Sequence, residues 1–277
     1  MLLFLMVSCA DKSAPADDTA KPSAAAGSVR FTNEAGDEVD LTATAALGTA
    51  SAPAALSLDQ AGELRFGSGT WYVNVLVTAS GTIVGEPGAD GALPVLSADG
   101  ASVVIDIVSP VTLGVEDLEI TGGHGCLGGA VRAAVLSVCD PTGITPVPVD
   151  LTLRRVDIHD HTYEMGGGAV GITQGSTLLV EESNIYHNEG HGVYTLAADV
   201  HCIGRTDGRF GIWGNVKNGV YMQLADDADH TLSGQDCDFG EGDDDNGNYD
   251  VSFLDQMNQD YGEDATFSCS SASLACN

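Results

Sequence analysis

Apolar residues along this chain come in short runs of Val, Ile and Leu, often at alternate positions, and each run is closed by Gly, Asn or Asp. A period of two marks a strand with one buried face, and Gly, Asn and Asp are turn formers. Amphipathic helical runs of eleven or more residues are absent, which makes helical repeats poor fits. Between Val111 and Ser252 the runs repeat as a phrase: a β-run, a turn, then small residues ending in Val. Val111–Ile120 leads to Gly129-Ala-Val131, Leu151–His159 to Gly168-Ala-Val170, and Leu178–Tyr186 to His191-Gly-Val193. Gly211–Asn215 leads to Asn218-Gly-Val220, and Asp236–Phe239 to Tyr249-Asp-Val251. The closing valines 131, 170, 193, 220 and 251 are 39, 23, 27 and 31 residues apart. A drifting period in this range is that of a solenoid with loops inserted on some coils.

Strand-and-turn composition makes the solenoid a stack of parallel strands about 4.8 Å apart. If the five valines point inward, so do Ala133, Ile172, Thr195, Met222 and Phe253. Arg132, Gly171, Tyr194, Tyr221 and Ser252 then form an outward column. Leu118, Ile158, Ile185 and Ile212 make a second inward column. Three residues beyond each come Thr121, His161, Asn188 and Asn215, at a turn where stacked polar groups can hydrogen-bond from coil to coil.

These repeats resemble the right-handed parallel β-helix superfamily typified by pectate lyases. Gly128-Gly-Ala-Val131 and Gly167-Gly-Ala-Val170 look like the glycine-rich half of the polymorphic outer membrane protein repeat. Ile185-Tyr-His-Asn188 and Ile212-Trp-Gly-Asn215 stand where that repeat has Phe-x-x-Asn, with Ile in place of Phe. Gly67-Ser-Gly-Thr-Trp-Tyr72 resembles the turn that opens the first full coil of many β-helices. The expected fold is all-β, a right-handed parallel β-helix with capped ends over residues 28–277. Its entry cap or first coil is expected at 28–66, its exit cap at 255–277, and an inserted loop at 132–150. The resemblance is specific for fold and weak for activity, because one fold hosts enzymes, adhesins and structural proteins.

Met1–Cys9 is apolar, far shorter than the about 20 residues a membrane span needs, and ends in Met6-Val-Ser-Cys9, which resembles a bacterial lipobox. Residues 1–9 are read as a signal peptide lipidated at Cys9, and 10–27 as a disordered tether. Ala10 after the cysteine implies, by resemblance to Gram-negative sorting signals, an outer membrane or cell-surface lipoprotein held to the membrane only through its lipid. Forty acids against ten bases give a net charge of −30, which excludes nucleic acid and anionic headgroups as partners. Without Cys9, six of the seven cysteines remain in an exported chain, so disulfides are the default, with 15 connectivities open. Cys126–Cys139 would clamp the inserted loop and Cys269–Cys276 would close the tail, which leaves Cys202–Cys237.

Four constellations could carry chemistry. In the acidic run 236–250, oxygen donors at Asp244, Asn246, Asn248 and Asp250 have the alternate spacing of a calcium loop. Tyr249 and Asp255 stand where an EF-hand needs Gly and Glu, so calcium, the one cofactor suggested, would need a looser loop; a solvated turn is the competing reading. His159, Asp160, His161, His187, Glu189 and His191 fall near one turn, where imidazoles can bind zinc or serve only as surface polar groups. Gly123-His-Gly125 and Gly190-His-Gly192 look like the Gly-His-Gly element of polygalacturonases, but the partner motifs of that family are missing. Arg154 and Arg155 are expected to pair with Asp157, Glu181 and Glu182 at the surface. Tyr194 with Tyr221 and Tyr186 with Trp213 form aromatic pairs that suit sugar rings or that merely stabilise the sheet. The expected function is a non-catalytic surface protein for adhesion to, or binding of, a glycan or another surface protein. A polysaccharide lyase or glycoside hydrolase, and a structural envelope protein, are the alternatives.

Overall fold

The computed structural model describes residues 27–136, 143–163, 167–223, 230–240, 242–262 and 265–277. Cys9, most of the expected tether and Cys139 lie outside them, and with Cys139 the expected Cys126–Cys139 pairing. Each coil lays down three strands in turn, and each strand pairs in parallel with its counterpart one coil on, giving an all-β parallel β-helix. The first face stacks Gly62–Phe66, Gly81–Gly85, then the starts of Val111–Thr121 and Val149–His159, then Thr177–Glu181, Asp199–Ile203 and Thr231–Cys237. The second stacks the start of Thr70–Val77, Val95–Ser97, the ends of the two long strands, Asn184–Tyr186 and Gly211–Trp213. The third runs from Ala54–Leu58 to Val251–Phe253.

The third-face register is the one expected. Val131, Val170, Val193, Val220 and Val251 pair in sequence, and all are buried, as are Ala133, Ile172, Thr195, Met222 and Phe253. Corners are turned by residues with positive φ. Asp117, Arg155, Glu182 and Asp236 turn from first to second face, and Gly122, Asp160, His187 and Gly214 turn from second to third. A side chain in this conformation is strained unless it is Gly, Asn, Asp or, less often, His, which explains much of the punctuation in the sequence.

The second inward column differs from expectation by two residues. Ile158 pairs with Ile120, and Leu118 faces Val156. Leu118 and Ile120 stand two apart on one strand, so both point inward, as do their partners Val156 and Ile158, and all four are buried. The polar turn column therefore holds Gly123 where Thr121 was expected.

This column is a continuous hydrogen-bonded ladder through the core. The Asn246 Oδ1 accepts from the backbone N–H and Nδ2 of Asn215, at 3.1 and 3.0 Å. The Asn215 Oδ1 accepts from the same two groups of Asn188, at 3.3 and 2.9 Å. The Asn188 Oδ1 accepts from the His161 N–H at 3.1 Å. Each amide also donates to the carbonyl of the previous coil's isoleucine: Asn188 to Ile158, Asn215 to Ile185 and Asn246 to Ile212. His161 continues the pattern with a ring. Its Nδ1 accepts from the Gly123 N–H at 2.9 Å, so Nε2 carries the proton and donates to the Ile120 carbonyl at 3.0 Å. The ring fits because Gly123 and Gly129 leave room; a Cβ at Gly123 would come within 2.8 Å of the imidazole.

Burial lowers the His161 pKa from 6.5 to about 4. A depressed histidine adds stability above its unfolded pKa of 6.5, and that stability is lost as pH falls through about 4. His161→Asn, which can make the same bonds without titrating, is expected to retain about 3 kcal/mol that the native chain loses in acid. Urea unfolding at pH 7 and pH 3.5 checks this: equal acid losses in both proteins would disprove it.

Both ends are closed by reversed strands. Val29–Asn33 runs antiparallel to Gly62–Phe66 and to Glu38–Asp40. At the other end Met257–Gln259 reverses on Val251–Phe253, and Ala265–Ser270 reverses on Thr231–Cys237. Exposed strand edges and apolar core are covered in this way. Cys269–Cys276 ties the last two strands together, and Cys202–Cys237 joins neighbouring coils inside the core. In place of a plain loop at 132–150, Gly128–Leu136 continues outward and pairs antiparallel with Ile144–Pro146.

Candidate functional site

The two expected aromatic pairs lie in two separate stacks. On the second face, Thr121, His159, Tyr186 and Trp213 are in register and point outward. The Tyr186 and Trp213 rings lie 4.6 Å apart at 14°, and His159 covers the far side of Tyr186 at 5.0 Å. The Arg209 guanidinium sits 3.9 Å over the Trp213 ring, held by Asp238 and, at 2.8 Å, by Asp244. Beside the stack, Asn184 links the two columns: its Nδ2 donates to Asp157 at 2.9 Å and its Oδ1 accepts from the Trp213 ring N–H at 3.4 Å. The ring faces are thus spent on one another and on a cation, contacts of about 0.5–1.5 kcal/mol each. A sugar meets ring edges and the Glu119–Asp157–Asn184 row here.

On the third face Tyr194 and Tyr221 are adjacent as expected, 5.6 Å apart, with His191 stacked on Tyr221 at 4.8 Å. Tyr194 is not part of an open surface, because it packs against Leu127 and Ala134, with Leu136 and Ile144 of the inserted hairpin against the same cluster. Burial pushes its phenol up to about 12, and its hydroxyl donates to Gln223. Gly171 in the same column has no room for a side chain, since a Cβ would lie 2.5 Å from the Leu127 carbonyl oxygen.

The four residues of the acidic run go to different places. The Asp244 carboxylate accepts from Arg209, and the exposed Asn248 donates its N–H to the Lys217 carbonyl. Asn246 and Asp250 do meet, inside the core, where the Asp250 Oδ1 accepts from the Asn246 Nδ2 at 2.8 Å and its Oδ2 from the Tyr261 N–H. Burial pushes the Asp250 carboxyl up to about 7, against the two donors that favour its ionised form. No common oxygen centre joins the four. Among the described residues no group of three or more His, Cys, Asp or Glu is placed to hold a metal ion.

The histidines near the turn also divide. His161 lies in the ladder, His159 pairs with Glu119 and Asp160, and His187 packs edge-on against Tyr186 and Trp213. His191 accepts the Asn218 N–H, and burial holds its pKa down at about 3. His124 bonds the Thr162 hydroxyl at 2.7 Å across a separate two-stranded sheet, His124–Gly125 beside Thr162–Tyr163. Every arginine has a carboxylate partner. Arg154 takes Glu181 as expected, but Arg155 takes Asp117, its neighbour in the corner column, instead of Asp157 or Glu182.

A groove of about 640 Å³ lies on the outside of the first face. Its floor is the in-register row Thr152, Leu179, His201 and Ser233, with the His201 Nδ1 2.8 Å from the Ser233 hydroxyl. Asp150 lies at one end, and Thr266 of the reversed exit strand at the other. Four adjacent strands make this floor about 14 Å long. The phrase that defines the repeat does not reveal it, because two of its strands are Asp-Val-His-Cys-Ile and Thr-Leu-Ser-Gly-Gln-Asp-Cys, poor in β-branched residues. The usable signal was the inward run Leu178, Val200 and Leu232, which leaves 179, 201 and 233 outside.

No protein-family model, no curated protein and no solved structure matches this chain.

Proposed function

We propose that the chain is an exported, non-catalytic β-helix surface protein that binds a glycan, held at the outer membrane of a Gram-negative bacterium by a lipid on Cys9. The first-face groove carries this reading. Its apolar Leu179 suits the C–H face of a sugar ring, and Thr152, His201, Ser233 and Asp150 supply donors and acceptors for hydroxyls. A row running along the solenoid axis suits a linear chain. The arginines are paired with carboxylates around the solenoid, an arrangement that favours binding over proton abstraction. The glycine-rich turns and Asn corners support a place in the pectin lyase-like superfamily, with repeats of the polymorphic outer membrane protein type.

A glycan array tests the groove. His201→Ala and Leu179→Ser are expected to weaken retention about tenfold, the effect of losing about 1.4 kcal/mol, while Tyr186→Ala changes it little. Retention that follows Tyr186 and ignores His201 would move the site to the second face. A chain that retains no glycan would leave a structural envelope role.

A further inference from the structure

A second cleft, of about 620 Å³, opens on the outside of the third face in the N-terminal half of the solenoid, away from the groove. Its floor is built on Asn74, Asp106 and Arg132. Asp106 and Arg132 are register partners on neighbouring strands. Arg132 donates Nε to Asp106 Oδ1 at 2.9 Å and Nη2 to Oδ2 at 2.6 Å, a bidentate pair with side chains only 19% and 16% exposed. Asn74 donates its Nδ2 to the Val103 carbonyl at 2.6 Å, which fixes the amide. Its Oδ1 and the Arg132 Nη1 hydrogens have no partner among the described residues. Pro53, Ala55 and Ala101 make one side of the wall small, and His124 and Cys126 line the other part of the cleft.

Taking a carboxylate and a guanidinium this far out of water is unfavourable unless their remaining hydrogen-bonding capacity is used. What is left over is a donor on Arg132, lone pairs on Asp106 and an acceptor on Asn74, all held rigid by bonds already made. An anion gains little here, since Asp106 neutralises Arg132 and the chain carries −30 overall. A cation meets the guanidinium. A neutral polyol meets neither penalty: one hydroxyl donates to Asp106 while its neighbour accepts from Arg132, and the volume lies in the usual range of about 300–1,000 Å³ for small-molecule sites. We propose that this cleft is a second carbohydrate site, taking one or two neutral sugar residues through a pair of adjacent hydroxyls. The proposal rests on the glycan-binding reading and places a separate subsite on another face.

The test is saturation-transfer NMR of the full chain with a panel of neutral monosaccharides and their methyl glycosides, with glucuronic acid and glucosamine as charged counterparts. At least one neutral sugar is expected to bind, more tightly than its charged counterparts. Arg132→Met and Ala55→Phe should each weaken it about tenfold or more, while His201→Ala leaves it unchanged. Ala55→Phe fills the cleft without disturbing the ion pair, so it keeps the test decisive if Arg132→Met unfolds. Binding unaffected by Ala55→Phe, or no neutral sugar bound by a chain that still retains glycans on the array, overturns the cleft and leaves the groove standing. Loss of array retention and of sugar binding together removes both.

Discussion

Asn215→Ala is expected to lower the unfolding free energy by roughly 3–5 kcal/mol, among the largest effects of any single truncation in the chain. Its amide makes bonds in both directions along the ladder and to the Ile185 and Trp213 carbonyls. Alanine leaves the Asn188 N–H buried with nothing to bond and takes one bond each from the Asn188 Nδ2, the Asn246 Oδ1 and the Ile185 carbonyl. Each such group costs about 1–3 kcal/mol, and water has no route to a site that is 1% exposed. The comparison is Asn248→Ala, an exposed asparagine of the same acidic stretch, for which a change within about 0.5 kcal/mol is expected. Urea unfolding of the two variants decides: similar small losses would mean that the ladder is only a by-product of stacking.

The second large effect is in the disulfides. Removing Cys202–Cys237 by paired alanine substitution closes no loop of 35 residues in the unfolded chain, a loss of about 4 kcal/mol on chain entropy alone. Removing Cys269–Cys276, 7 residues apart, is worth about 2 kcal/mol on the same basis. Burial widens the gap. Both sulfurs of the first pair lie in the core, so alanines there also leave a void, whereas Cys276 is only half-buried. Urea midpoints for the two double variants should keep this order. The reverse order would mean that the exit strands, not the inter-coil link, limit stability.

The third-face register could be read from the sequence because inward Val recurs whatever the length of the loops between. Leu118 could not be placed the same way. It and Ile120 are both apolar and inward, and only hydrogen-bonded pairing tells which one faces Ile158. Aligning the corner residues Gly122, Asp160, His187 and Gly214 would have resolved it, since positive φ is a sharper marker than hydrophobicity. Spacing alone puts Tyr194 in its column but does not show what covers it, because the covering hairpin comes from residues some fifty positions earlier. The alternating oxygens of 244–250 were real as a pattern. The fold turns them to separate tasks, one to Arg209, two into the core and one to solvent, which spacing alone does not encode. Both clefts depend on residues left outside by the inward pattern, and their depth comes from side-chain sizes on neighbouring coils.

The ladder begins at Gly123 and ends at Asp250, and Cys202–Cys237 and Cys269–Cys276 both lie in that same part of the solenoid. The coils before Val111 are held by strand pairing and core packing without this polar spine. A solenoid whose units contact only their neighbours responds to tension unit by unit. Pulled by its two termini, this one therefore peels from the N-terminal side while the C-terminal coils stay wound. Under the anchoring proposed above, shear at the cell surface would first draw out the segment next to the membrane. The chain would lengthen like a leash, and the groove, with its reversed end strand, would keep its shape at the free end.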